Sequence, residues 1–152
     1  MVYVSFNSSD RLLGYTKALK KYGIKIGNSL VVKGGITFED GEKAMKKILS
    51  LSPMPTAVIA FNDVMAVGAL RAIRDFGLSV PENISLIGFD DIVLASYTIP
   101  RLTTVHFPIV KIANNAFDLL MERITNKSMP FEKKEIMLPL RLVIRESTSK
   151  KN

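Results

Sequence analysis

The chain contains no cysteine, which excludes a disulfide framework, a thiol nucleophile and a cysteine-ligated zinc site. No apolar run approaches the roughly 18 residues that a membrane-spanning helix needs. The opening Met1-Val-Tyr-Val-Ser-Phe6 lacks the charged leader and small-residue cleavage site of a secretory signal, so a cytoplasmic protein is expected. Seven prolines and nine glycines are spread along the chain, which removes collagen-like and low-complexity readings. No block of five like charges occurs, and neither zinc-finger spacing nor a helix-turn-helix pattern is found. What remains is 152 residues, 47% hydrophobic and 23% charged. That is one ordinary folded domain, long enough to bury roughly 70% of the surface its unfolded form exposes.

The formal charge of +7 invites a nucleic-acid reading, but its distribution argues against one. Lysines stand singly or in pairs at helical spacing (Lys17, Lys20 and Lys21; Lys43, Lys46 and Lys47), interleaved with Glu39, Asp40 and Glu42. Solvated helix faces account for them, and direct DNA reading by this chain is not expected.

Hydrophobic periodicity and punctuation set the order of elements. Residues 2–6 read as a strand. A helix to about Tyr22 carries Leu12, Tyr15, Leu19 and Tyr22 on one stripe, suited to covering a sheet. A short strand is expected around Asn28 to Val32. Thr37 and Asp40 then stand three apart as an acidic capping box for a second helix, with Phe38, Met45, Ile48 and Leu49 on its buried side. Thr56 to Phe61 lacks polar alternation, as a strand buried on both faces of a parallel sheet does. Asn62 and Asp63 cap a third helix with Met65, Ala69, Ile73 and Phe76 inward, and Ile84 to Phe89 is a further buried strand ending at Asp90-Asp91. Alternation of this kind predicts an α/β fold with a doubly wound parallel sheet. Beyond Asp91 follow a short helix near Ile92 to Ser96, an extended stretch from Leu102 to Phe107, and a helix from about Ile109 to Thr125. This last helix is apolar around more than half its circumference, more than one sheet would use. Glu135 to Arg145 reads as one or two strands interrupted at Pro139, with a polar tail after it.

In such a sheet, ligands sit beyond the carboxyl ends of the strands. Arg11, Asn62 and Asp90 fall there: a guanidinium, an amide and a carboxylate, able together to donate to and accept from vicinal hydroxyls. Phe61, Phe89 and Phe107 lie beside them, each able to face the apolar side of a sugar ring. A plainer reading stands next to this one, in which Asn62 or Asp63, and Asp90 or Asp91, are only helix caps. The Asp90-Asp91 pair could also take up magnesium or a phosphoryl group, as on a flavodoxin-like phosphotransfer or hydrolytic enzyme. His106 has nothing in sequence to orient it as a base and is expected to be packed or solvated. Gly34-Gly35 matches neither phosphate-binding glycine pattern and reads as a turn. No catalytic constellation emerges, and neither a metal nor a cofactor is expected.

The ordered series Arg11-Leu-Leu-Gly14-Tyr, Gly41-Glu-Lys-Ala-Met45, Pro55-Thr-Ala-Val-Ile-Ala-Phe-Asn62-Asp63, Met65 to Ile73, Val80 to Asp91, Leu102-Thr-Thr-Val105 and Leu142-Val-Ile-Arg145-Glu-Ser resembles the effector-binding domain of lactose-repressor/galactose-repressor (LacI/GalR) type transcription regulators. That domain is similar in fold to periplasmic sugar-binding proteins. The resemblance implies that Arg11, Asn62 and Asp90 contact a small effector, with a sugar the expected class. It further implies a homodimer, and DNA contact only through a helix-turn-helix domain that these residues do not include. Residues 1–105 and 135–146 would form the C-terminal lobe, residues 106–134 a crossover and helix of the other lobe, and 147–152 a tail. Phe107, where many members carry a polar residue, and Ile36, where some carry an aromatic one, depart from the pattern and leave the sugar open. A sugar-binding protein of a transport system would share the same lobes.

Overall fold

The computed structural model describes residues 9–25, 27, 30–125 and 133–150. The expected strand at 2–6 lies outside them. So does part of the strand expected around Asn28 to Val32, of which Val32 forms an isolated bridge. In chain order the elements are α1 (Ser9–Lys21), α2 (Phe38–Leu49), β1 (Ala57–Ile59), α3 (Asp63–Asp75), β2 (Ser85–Asp90), a 3-10 turn (Val93–Ser96), β3 (Thr103–His106), α4 (Ile109–Thr125) and β4 (Arg141–Val143). The sheet runs β1-β2-β3-β4. The first two pairings are parallel, and β4 joins antiparallel after the chain has left through α4 and come back.

The core lies between the sheet and the pair α2 and α3. Met45 and Ile48 of α2, Met65 and Ile73 of α3, Val58 of β1 and Leu86 of β2 are fully buried there, with Ile84 and Leu102 beside them. The capping box forms as the Thr37–Asp40 spacing implies: the Thr37 hydroxyl accepts from the Asp40 N–H at 3.2 Å, and the Asp40 carboxylate accepts from the Thr37 N–H at 3.1 Å. Two helix-interior glycines let α2 and α3 touch backbone to backbone. A Cβ on Gly41 would stand 2.2 Å from the Met65 carbonyl oxygen, and one on Gly68 would stand 2.0 Å from that of Phe38.

Several expectations change. β1 is not buried on both faces: Val58 is inside, while Ala57 and Ile59 are exposed. Among the described residues α2 and α3 cover one face of the sheet, so an unbroken apolar run does not mean two covered faces. The stripe of α1 is at most half-buried, and Tyr22 is exposed. Phe76, expected inward, caps the end of α3 and is exposed. The tail expected from residue 147 begins later. Ser147 is fully buried: its hydroxyl donates to the Leu86 carbonyl at 2.6 Å and accepts from the Thr103 N–H at 2.8 Å, wedging the chain between the starts of β2 and β3.

The helix from Ile109 to Thr125 forms with the expected limits, and none of its residues is buried. An apolar groove of about 450 Å³ runs between it and the returning segment, lined by Phe107, Ile112, Ala116, Leu119, Leu138 and Leu140 among others.

Candidate functional site

The carboxyl ends of β1 and β2 point the same way because the strands are parallel, so Phe61-Asn62 and Phe89-Asp90 emerge on one rim. The first turns of α1 bring Arg11 to that rim. Its Nη1 donates to the Phe61 carbonyl at 2.7 Å, and the guanidinium lies 4.4 Å from the centre of the Phe61 ring and 3.6 Å from that of Phe89. A weakly hydrated, planar cation suits two aromatic faces, and the contact fixes the orientation of the guanidinium plane. Phe107 stands 6.4 Å from Phe89 in a tilted arrangement. Phe61 and Phe89 each have a face taken by Arg11.

Asn62 is the cap of α3, as its plainer reading has it: Oδ1 accepts from the Met65 N–H at 2.8 Å, and Nδ2 approaches the Ile36 carbonyl at 3.4 Å. One amide hydrogen and one oxygen lone pair remain beyond those contacts. Asp90 is half-buried. Burial pushes its carboxyl above the usual aspartate range; the Arg11 charge opposes this and Asp63 adds to it. The structure thus brings Arg11, Phe61, Phe89 and Asp90 together, with Asn62 next to Phe61 and Phe107 beside Phe89. None of Arg11, Asn62 and Asp90 lines the groove beside α4.

Behind this rim is a polar network that spacing did not reveal. Asp63 is fully buried, accepting from the Thr104 hydroxyl at 2.6 Å and the Ile92 N–H at 2.9 Å. Burial raises its pKa, and those hydrogen bonds oppose the rise. Gly88 makes room for it: a Cβ there would lie 2.0 Å from Asp63 Oδ1. Asp91 accepts from Arg145 Nη2 at 2.6 Å on one oxygen and meets His106 Nδ1 at 2.9 Å on the other. Burial pushes the Asp91 carboxyl up, but the Arg145 and His106 contacts outweigh it and hold the group below the usual range. Arg145 also donates to the Leu102 carbonyl at 2.8 Å. His106, expected only to be packed or solvated, is therefore a hydrogen-bond partner of Asp91.

With both carboxylate oxygens engaged, Asp91 does not present the free oxygen a phosphoryl acceptor needs. Among the described residues no group of three His, Asp or Glu side chains gathers where it could hold a metal ion. The signal that could have found the network is Thr103-Thr104 directly after the apolar Leu102 and before Val105: polar side chains at buried positions require partners.

Comparison with known proteins supplies the context. Residues 2–148 match the family model described as a periplasmic binding protein-like domain. The HTH-type transcriptional repressor PurR of Vibrio vulnificus (strain CMCP6) is 38% identical over 143 residues, 94% of this chain and 42% of that protein. The repressor of the same name from Escherichia coli O1:K1 / APEC is 42% identical over 141 residues, 93% of this chain and 41% of that protein. The chain thus spans about two fifths of the length of these relatives. Among solved structures, a transcriptional regulator CelR–cellobiose complex superposes with a TM-score of 0.86 at 32% identity, covering 96% of this chain and 46% of that one. A LacI family regulator from Enterococcus faecium with bound ribose gives 0.81 at 32% identity, covering 91% and 50%. These relatives are transcriptional regulators rather than enzymes. The chain belongs to the periplasmic binding protein-like domain family and, within it, to the effector-binding domains of LacI/GalR-type regulators.

Proposed function

We propose that the chain is the sensing portion of a LacI/GalR-type transcriptional repressor, in which a sugar or similarly hydroxylated effector binds against Arg11, Asn62 and Asp90. The observation that carries the reading is Arg11, seated on Phe61 and Phe89 beside the Asp90 carboxylate. A held cation next to a half-buried anion offers donors and acceptors at one place, where each charge-assisted bond to a hydroxyl is worth about 1.5–3 kcal/mol. Residues 1–105 and 135–146 would form one lobe, and 106–134 would belong to the facing one. An effector binding two lobe arrangements unequally would then shift operator affinity in the intact protein. The complete regulator is a cytoplasmic homodimer, matching paired operator half-sites, and reaches DNA through its helix-turn-helix domain. No helix among the described residues is long and apolar enough to cross a membrane.

Isothermal titration of the chain against a panel that includes D-ribose and cellobiose tests the assignment. At least one member of the panel is expected to bind, and Asp90→Ala to weaken that binding by about 10-fold to 100-fold. Equal affinity of the variant and the parent would remove Asp90 from the site.

A further inference from the structure

The turn at the end of β2 is strained in a specific way. Asp90 and Asp91 are consecutive non-glycine residues with φ of 110° and 58°, a region where glycine is the ordinary occupant. Such backbone is held only where the surroundings over-determine it. Here the restraint comes from the Asp91 side. Arg145 reaches one carboxylate oxygen from beyond β4, and His106 reaches the other from the end of β3. The Asp91 N–H points to the Thr104 hydroxyl at 3.4 Å, and the next N–H, that of Ile92, is held by buried Asp63. On the other side the Asp90 carbonyl faces the Phe107 N–H at 3.4 Å. Arg145 is itself oriented by its bond to the Leu102 carbonyl, so its planar fork joins β3 to the turn.

We propose that Asp91, His106 and Arg145 are positioning residues for Asp90: together they clamp the left-handed turn that keeps the Asp90 carboxylate at the rim beside Arg11. The inference rests on the reading of Asp90 as an effector contact for its functional weight, whereas the clamp belongs to the free chain and is tested there. A residue that merely stabilised the fold would leave the surroundings of Asp90 as they are. A positioning residue sets them.

The decisive variant is Asp91→Gly, because glycine adopts the positive φ without strain while losing the carboxylate that Arg145 and His106 hold. Carboxyl-carbon NMR, with the Asp90 signal assigned by its loss in Asp90→Asn, follows the titration of that one group, with Asp40 of the capping box as reference. In the parent chain Asp90 is expected to titrate above the ordinary aspartate value, because of its burial. In Asp91→Gly, and in Arg145→Gln, it is expected to fall back toward that value as the carboxylate swings into water, with Asp40 unmoved. Arg145→Lys, which retains a cation but not the fork, is expected to fall between. Should either of the first two variants fail to fold, His106→Gln at the half-exposed end of β3 serves as the third reading, with a smaller shift in the same direction. An Asp90 titration that stays the same in every folded variant overturns the proposal. If the titration shifts while Asp90→Ala leaves sugar affinity intact, the positioning stands and the effector reading fails.

Discussion

Asp91 and Asp63 lie within one network yet respond to pH in opposite directions. The carboxyl of Asp91 is held below its usual range in the folded chain. Its contribution to stability is therefore present above the unfolded-state value and lost as pH falls through the folded one. Replacing Asp91 by Asn is expected to cost about 2 kcal/mol at neutral pH, the worth of weakening charge-assisted hydrogen bonds. Urea denaturation from about pH 7 to about pH 3 should show the gap between parent and variant closing as the solution is acidified; a gap that widens toward acid would contradict the assignment. Asp63 has the opposite sign, because burial raises its pKa: its contribution is complete at low pH and fades as pH rises through the raised value. Truncating it by Asp63→Ala leaves the Thr104 hydroxyl and the Ile92 N–H without their acceptor, and is expected to lower stability by about 2–4 kcal/mol in the same denaturation assay. A loss below about 1 kcal/mol would mean that water or another group had replaced the carboxylate.

Packing of α2 on α3 sets a contrast between glycines that are alike in sequence. Gly68 is an interior helical residue, where alanine is favoured by about 1 kcal/mol on propensity alone. Its added methyl, however, would meet the Phe38 carbonyl oxygen at 2.0 Å, a backbone atom that moves only if the helix moves. Gly68→Ala is accordingly expected to destabilise the chain by about 2 kcal/mol or more. Gly14→Ala in α1, where nothing among the described residues lies within 4 Å of the new atom, is expected to be neutral or to stabilise by up to about 1 kcal/mol. Denaturation midpoints of the two variants on opposite sides of the parent would bear this out, and midpoints on the same side would not. The helices were legible for local reasons: the Thr37–Asp40 box, the Asn62 cap and the apolar periodicity of α4 all act within a few residues. Strand ends likewise located Asn62 and Asp90, because parallel direction alone determines which residues emerge on a rim, whereas the strand expected before Arg11 lies outside the described residues. Burial of the sheet faces was not legible, since the run from Thr56 to Phe61 reads the same with one face covered or two. Nor was the clamp: Arg145 and Asp91 lie 54 residues apart, and the pairing leaves no trace in the spacing of either.

At the scale of the whole molecule, the outstanding feature is a 17-residue helix with no buried residue. Ile109, Val110, Phe117, Leu120, Met121 and Ile124 of α4 are all exposed, as is Met137 on the segment that returns beside it. Apolar surface of that extent is uncommon on a protein that stays monomeric. The helix is also not an element awaiting a better fit to its own sheet, because it leaves β3 through Phe107 and Pro108 and the chain comes back only at β4. Among the described residues nothing covers it, and this is the observation that supports the proposal of a facing lobe in the intact protein. In the 152-residue chain by itself the available cover is a second copy. Sedimentation velocity is expected to show a dimer or larger species whose population rises with concentration. The double substitution Phe117→Lys and Leu120→Lys, both at exposed positions outside the core, should shift the chain toward monomer with no loss of thermal stability beyond that of the lost association. A parent chain that sediments as a monomer at high concentration would show that α4 is tolerated in water, and the assignment of that helix to an interface would then lose its physical basis.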